Sequence, residues 1–229
     1  MIEICIDKII KDIGDPYALL NQHARIYSHS GIHRKWWNAG QLSILFLRGD
    51  PVVQNKIKQM AMDWTKYANI KFQFVDDKQD ADIRIDFQVN GSWSYIGTDA
   101  THIPQNQPTM NYGWLQKDTP DSEYHIVLHE FGHALGLIHE IQVPLDGIPW
   151  NKEAVYNCFS SAPHYWNREM VDQEIFERYS RSYSNSFLDQ RSIMNYHIPQ
   201  VFLMPNAIEI PWSTDLSAED IRVIKTMYP

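Results

Sequence analysis

The run His129-Glu130-Phe131-Gly132-His133-Ala134-Leu135-Gly136-Leu137-Ile138-His139 constrains this 229-residue chain more than any other stretch. It fits the pattern HExxHxxGxxH, and ordinary composition produces all five fixed positions by accident in roughly one chain in 10⁴ to 10⁵ of this length. On an α-helix, residues four apart share a face and lie about 6 Å apart along the axis, so the imidazoles of His129 and His133 can converge on one ion. Gly136 takes a left-handed conformation more readily than any other residue type, which ends the helix and turns the chain back to bring His139 in as a third ligand. Three histidines leave the fourth tetrahedral position to water, as at a catalytic zinc, whereas a structural zinc is closed by four protein groups. Glu130 lies about 100° around the helix from His129, off the ligand row but able to face such a water as a general base.

His125 stands four residues before His129 and offers an alternative pair. No Glu follows it, and that choice would leave Gly136 and His139 without a role, so it reads as a surface or supporting histidine. His23, His29, His33, His102, His164 and His197 have no partner at ligand spacing and read as structural or solvent-exposed.

A second motif, Ser192-Ile193-Met194-Asn195-Tyr196, centres on Met194, 55 residues after His139. Alone, such a methionine is a pliable core filler. Downstream of HExxHxxGxxH it resembles the metzincin clan of zinc peptidases, in which a tight turn carries a methionine beneath the three histidines. Glu140, directly after the third histidine, and Tyr196, two residues after Met194, resemble the astacin family within that clan. Matrix metalloproteinases usually have Ser at the position of Glu140 and reprolysins Asp. Asn195 departs from astacin usage, where His is common. The resemblance implies His129, His133 and His139 as zinc ligands, Glu130 as the base, and Tyr196 as an additional ligand or oxyanion stabiliser. For Tyr196 the plainer alternative is a buried tyrosine with a local hydroxyl partner. The resemblance also implies that Glu140 contacts the amino terminus left when a pro-segment is removed.

An α+β, metzincin-type zincin fold follows: a twisted mixed sheet with long helices, an active-site helix, and a mostly helical or irregular C-terminal subdomain. Asp50-Pro51 reads as a cap and first-turn proline, after which Val53, Ile57, Met60, Ala61, Trp64 and Ala68 recur at helical spacing. Strands are expected over 42–47, 70–75 and 81–87, the last alternating apolar and charged residues. The segment 91–97 resembles the one astacins place before their cleft-edge strand, which puts that edge strand at 108–115, where free backbone groups could pair with a substrate. A loop with packed aromatics is the alternative for 91–97. Thr119-Pro120-Asp121 is expected to cap the active-site helix, and further helices are expected over 151–158, 168–179 and 217–228, the last opened by a Ser-x-x-Asp cap.

Phe46-Leu47-Arg48-Gly49-Asp50 is close to a Phe-x-Gly-Asp sequence of astacin pro-segments, but an extra residue intervenes and it reads as a strand end and helix cap. Residues 1–33 form an N-terminal segment of unclear role, helical or extended, and 34–229 a catalytic domain with an upper half to about 139 and a lower half from 140 to 229. No switch motif surrounds Cys5 that would mark it as a zinc-silencing thiolate. Glu3 and Asp7 interrupt the first apolar stretch, so it does not resemble a signal peptide. With Cys5 and Cys158 alone, a disulfide framework is absent. The location is therefore open between the cytoplasm and export without a recognisable leader, unless the sequence is a piece of a longer chain.

The net charge of -8 argues against nucleic-acid binding and adhesion to anionic membranes, and no run is long enough to span a bilayer. The expected activity is that of a monomeric endopeptidase with one catalytic Zn²⁺, acting on protein or peptide substrate in extended conformation. Two alternatives remain: a delivered toxin or effector protease with one protein target, and a binding module of metzincin fold without turnover.

Overall fold

The structure is a computed structural model that describes residues 37–38, 40–76, 81–88, 91–142, 147–162, 164–176 and 188–229. The readings of 1–33, of Cys5 and of His23, His29 and His33 lie outside the described residues. Strand β1 (Gln41–Phe46) leads into helix α1 (Pro51–Thr65), whose N-terminus is capped by Asp50, its carboxylate accepting from Val52 N at 2.8 Å. Val53, Ile57, Ala61 and Trp64 form the buried stripe of α1 that the 3.6-residue period requires. Trp64 also donates its indole N–H to the Leu128 carbonyl, 2.9 Å away, so α1 is docked directly on the helix that carries the zinc motif.

The fold is α+β, with a five-stranded mixed sheet ordered β2-β1-β3-β5-β4. Strands β2 (Lys71–Val75), β3 (Ile83–Asp86) and β5 (Met110–Tyr112) run parallel to β1, while β4 (Ser92–Ser94) runs antiparallel to β5. This corrects the expected edge: the segment within 108–115 lies inside the sheet, and Ser92–Ser94 occupies the border, packed towards the motif helix. Both strands are three residues long and wholly buried, so neither carries an alternation that would reveal its neighbours. Asn111 sets the return between them. Its side-chain amide donates to the Gln88 and Gly91 carbonyls at 2.9 and 2.6 Å, and its oxygen accepts from Gln88 N at 2.7 Å.

Strand β3 alternates apolar and charged residues, and all four are buried. Arg84, with 0% of its surface exposed, donates to four carbonyls: Ala81 (2.7 Å), Gln107 (2.8 Å), Ile103 (2.9 Å) and Ala100 (3.3 Å). These span the 3₁₀ turn Gly97–His102 and the chain leading to β5, so one guanidinium ties down the loop that covers the sheet. Asp86 accepts from Arg48, Gln88 and Phe87 N, and the Arg48 hydrogen bond above all holds its carboxyl down at about 2.

The motif helix α2 (His125–Ala134) does not start on the expected cap. The 3₁₀ turn Asp121–Tyr124 precedes it, and Thr119 Oγ1 instead accepts from Gln116 N at 2.8 Å. Beyond it come α3 (Lys152–Phe159), capped by Asn151, and α4 (Arg168–Val171), which continues as a π-helical turn Asp172–Phe176. Residues 177–179 of that expected helix lie outside the described residues. Val155, Phe159, Val171, Ile175, Tyr196, Phe202 and Leu203 form a second apolar cluster. Helix α5 (Ala218–Met227) carries a full Ser217–Asp220 capping box, and it sends Val223, Ile224 and Met227 into the core of the sheet, α1 and α2. Among the described residues, no helix is long and apolar enough to cross a membrane.

Candidate metal centre

Helix α2 presents His129 and His133 one turn apart and ends at Ala134. Gly136 adopts φ +104°, Gly136 N bonds the His133 carbonyl at 2.8 Å and Leu137 N the Gly132 carbonyl at 2.9 Å, the paired bonds of a glycine-terminated helix. The chain then reverses and brings His139 alongside. All three Nε2 atoms lie 3.1 Å from one another, and the three side chains are buried. Nδ1 of His129 faces the Ile193 carbonyl at 2.8 Å and Nδ1 of His133 the Leu137 carbonyl at 2.9 Å. A carbonyl only accepts, so these Nδ1 atoms carry the protons and their Nε2 lone pairs are bare. Burial first, then the neighbouring histidines, drive the His129 pKa well below its usual value, which keeps that ring neutral. Three Nε2 atoms converging at this spacing fit a zinc ion, whose ligand nitrogens sit at about 2.0–2.1 Å. Among the described residues this is the group of histidine, cysteine and acidic side chains with metal-holding geometry.

The turn at Ser192-Ile193-Met194-Asn195-Tyr196 lies directly beneath. A Cβ on Gly132 would collide with Met194 Sδ and come within 3.2 Å of Trp64, so the motif's first internal glycine is the space that admits the methionine. Glu140 N donates to the Met194 carbonyl at 3.1 Å, locking the end of the motif to the turn. The Tyr196 hydroxyl is 3.0 Å from Nδ1 of His139, the ring nitrogen turned away from the other imidazoles. In this arrangement it contacts a ligand histidine from outside the Nε2 triangle. Glu130 is fully buried on α2 beside His129.

The sequence profile of the peptidase family described as Astacin matches residues 29–229. The chain belongs to the astacin family. This is a zinc-dependent family of metalloendopeptidases, and His129, His133 and His139 are grouped as its zinc site requires. A solved structure of myroilysin is similar to this astacin-family chain at 41% identity and a TM-score of 0.81, covering 88% of this chain and 98% of that one. A second myroilysin crystal structure gives 36% identity and a TM-score of 0.66 over 97% and 100% of the two chains. The hatching enzyme HCE-1, a zinc-protease of the medaka fish Oryzias latipes, is 16% identical with a TM-score of 0.56 over 84% of this chain and 93% of its own, which is a likeness of fold. A probable matrix metalloproteinase of Invertebrate iridescent virus 3 is 31% identical over 126 residues, 46% of this chain. The aligned stretch spans about a third, 34%, of that curated relative.

Within this astacin fold Glu140 and Asn195, the position that departs from common astacin usage, both bind the backbone of Asp189. Glu140 Oε1 accepts from Asp189 N at 2.9 Å, and Asn195 Nδ2 donates to the Asp189 carbonyl at 2.5 Å. Glu140 is buried, and desolvation is the main cause pushing its carboxyl up to about 8. His125 stays out of the ligand set: its Nδ1 is 2.8 Å from the Ser122 carbonyl and its ring lies against Trp212. His197 pairs with Glu209 at 2.8 Å, and His164 packs on Phe159 and Trp166.

Two residues near the metal centre make contacts that the sequence did not announce. Trp212 stands nearly perpendicular to the His129 and Tyr196 rings, 6.4 Å from each, and also lines an open cavity of about 680 Å³ with Asp189, Arg191, Asp215 and Glu219. Asp220 was legible as a helix cap, yet its carboxylate also reaches the methionine turn. Neither contact follows from local spacing, because both join segments separated in sequence and brought together only by packing.

Proposed function

We propose that this chain hydrolyses peptide bonds in extended polypeptides, with His129, His133 and His139 holding one zinc ion and Glu130 serving as general base and then general acid. The observation that carries this reading is the triangle of Nε2 atoms at 3.1 Å, with the Nδ1 protons of His129 and His133 directed at backbone carbonyls. Zinc held there supplies Lewis acidity and lowers the pKa of a coordinated water towards about 7. Glu130, buried one residue along α2 from His129, takes a proton from the attacking water and delivers it to the leaving amine nitrogen.

The Tyr196 hydroxyl lies 3.0 Å from Nδ1 of His139, which supports a role in orienting that ring, and its phenol is a candidate donor for the developing oxyanion. Replacing it separates these roles. Tyr196→Phe is expected to lower kcat by about 10²-fold, the usual effect of losing one oxyanion donor, with zinc affinity close to the parent's. Weakened zinc binding at unchanged kcat would assign Tyr196 to ligand orientation alone.

The test of the activity is cleavage of casein, an unstructured protein. The zinc-loaded chain is expected to cut it, to stop when a chelator removes the metal, and to resume when Zn²⁺ is restored. Casein left intact by chain shown to hold zinc would overturn the assignment.

A further inference from the structure

Asp220 occupies the third position of α5 with only 4% of its surface exposed, and its carboxylate accepts from three donors. Ser217 N, at 2.9 Å, completes the capping box. The other two belong to the methionine turn: Ser192 Oγ at 2.6 Å and Ile193 N at 2.8 Å. A Ser-x-x-Asp box caps a helix perfectly well at a solvated surface, so capping alone does not account for burying this carboxylate against a distant turn. Burial pushes the Asp220 carboxyl above its ordinary range, and the three donors act against that shift.

Ile193 is gripped at both ends. Its N–H is held by Asp220, and its carbonyl accepts the Nδ1 proton of His129 at 2.8 Å. Ser192 Oγ, while donating to Asp220, accepts from Met194 N at 3.0 Å, so the carboxylate also fixes the hydroxyl that shapes the turn beneath α2. Any displacement of α5 relative to the turn therefore shifts the carbonyl that sets the tautomer and ring angle of a metal ligand.

We propose that Asp220 is a positioning residue for the zinc ligand His129, acting through the two ends of Ile193. The proposal rests on the three-histidine reading of the metal centre but not on the proton transfers assigned to Glu130. It makes the last helix a support of the metal site, in addition to its packing on the sheet.

The test uses the full chain and zinc alone as probe, with affinity measured by competition against a chromophoric chelator. Asp220→Asn keeps the shape and one acceptor but removes the charge. Ser192→Ala removes one of the two turn contacts and leaves the helix cap intact. Both are expected to bind zinc about tenfold more weakly, the lower end of the 10–100-fold range for partners that orient metal ligands. Ser217→Ala removes the capping hydroxyl and its 2.6 Å hydrogen bond to the Asp189 carboxylate while leaving the contacts of Asp220 to the turn; its melting temperature should fall and its zinc affinity should match the parent's. Parental zinc affinity in Asp220→Asn would overturn the proposal, as would an equal loss in Ser217→Ala, which would mean that helix docking alone matters. If Asp220→Asn does not fold, parental affinity in Ser192→Ala overturns it. A parent chain that takes up no zinc would remove the metal reading itself, and this proposal with it.

Discussion

Glu130→Gln should retain zinc and the fold while losing about 10² to 10⁴ of kcat, the range that a positioned general acid-base group contributes. The amide is nearly isosteric with the carboxyl, so packing on α2 is preserved, and Glu130 is outside the Nε2 triangle that would hold the metal. What disappears is an oxygen able to take a proton at neutral pH and return it. Steady-state cleavage of a quenched peptide, with zinc content measured on the same sample, reads the two effects separately. A glutamine variant that holds zinc and turns over at the parental rate would eliminate Glu130 from the chemistry, and loss of zinc alongside activity would make it a structural residue.

Arg84→Met should be the most damaging substitution away from the metal. Methionine fills much of the same volume, but it leaves the carbonyls of Ala81, Ala100, Ile103 and Gln107 without the donor that now joins them. The acceptors of Ala81 and Ala100 are buried and each costs about 1–3 kcal/mol when orphaned, whereas those of Ile103 and Gln107 are part-buried and regain water more easily, so the costs do not simply add. A loss of about 4 kcal/mol is expected, a large part of the roughly 5–15 kcal/mol that holds a domain folded. Urea unfolding at constant m-value measures it. A change below about 1 kcal/mol would show that the loop from the 3₁₀ turn to β5 is held by other contacts.

The difference between these two residues explains what could be seen in advance. Glu130 stands in a motif whose spacing is helical, and helical geometry is local, so the convergence of His129 and His133 and the break at Gly136 could be deduced from eleven consecutive residues. The stripe of α1 and the capping box at Ser217 were legible for the same reason. Arg84 was misleading because alternation along a strand reports two faces without saying what covers each one. Here the loop 95–109 folds over that face, and its carbonyls take the hydrogen bonds of the guanidinium. The edge strand was misplaced for a related reason: three-residue buried strands have too few positions for a period, and their order depends on the turn that Asn111 ties together.

By itself the sequence determined the metal-binding helix, the return of the third histidine and the family, because each depends on residue types at short fixed spacings. Only the tertiary structure decided that β4 borders the sheet, that Trp212 lies against His129, and that Asp220 reaches 27 residues back along the chain to hold Ile193. These contacts have no period to betray them. They exist because surfaces distant in sequence exclude water together, and the polar groups trapped between them must then find their partners in one another.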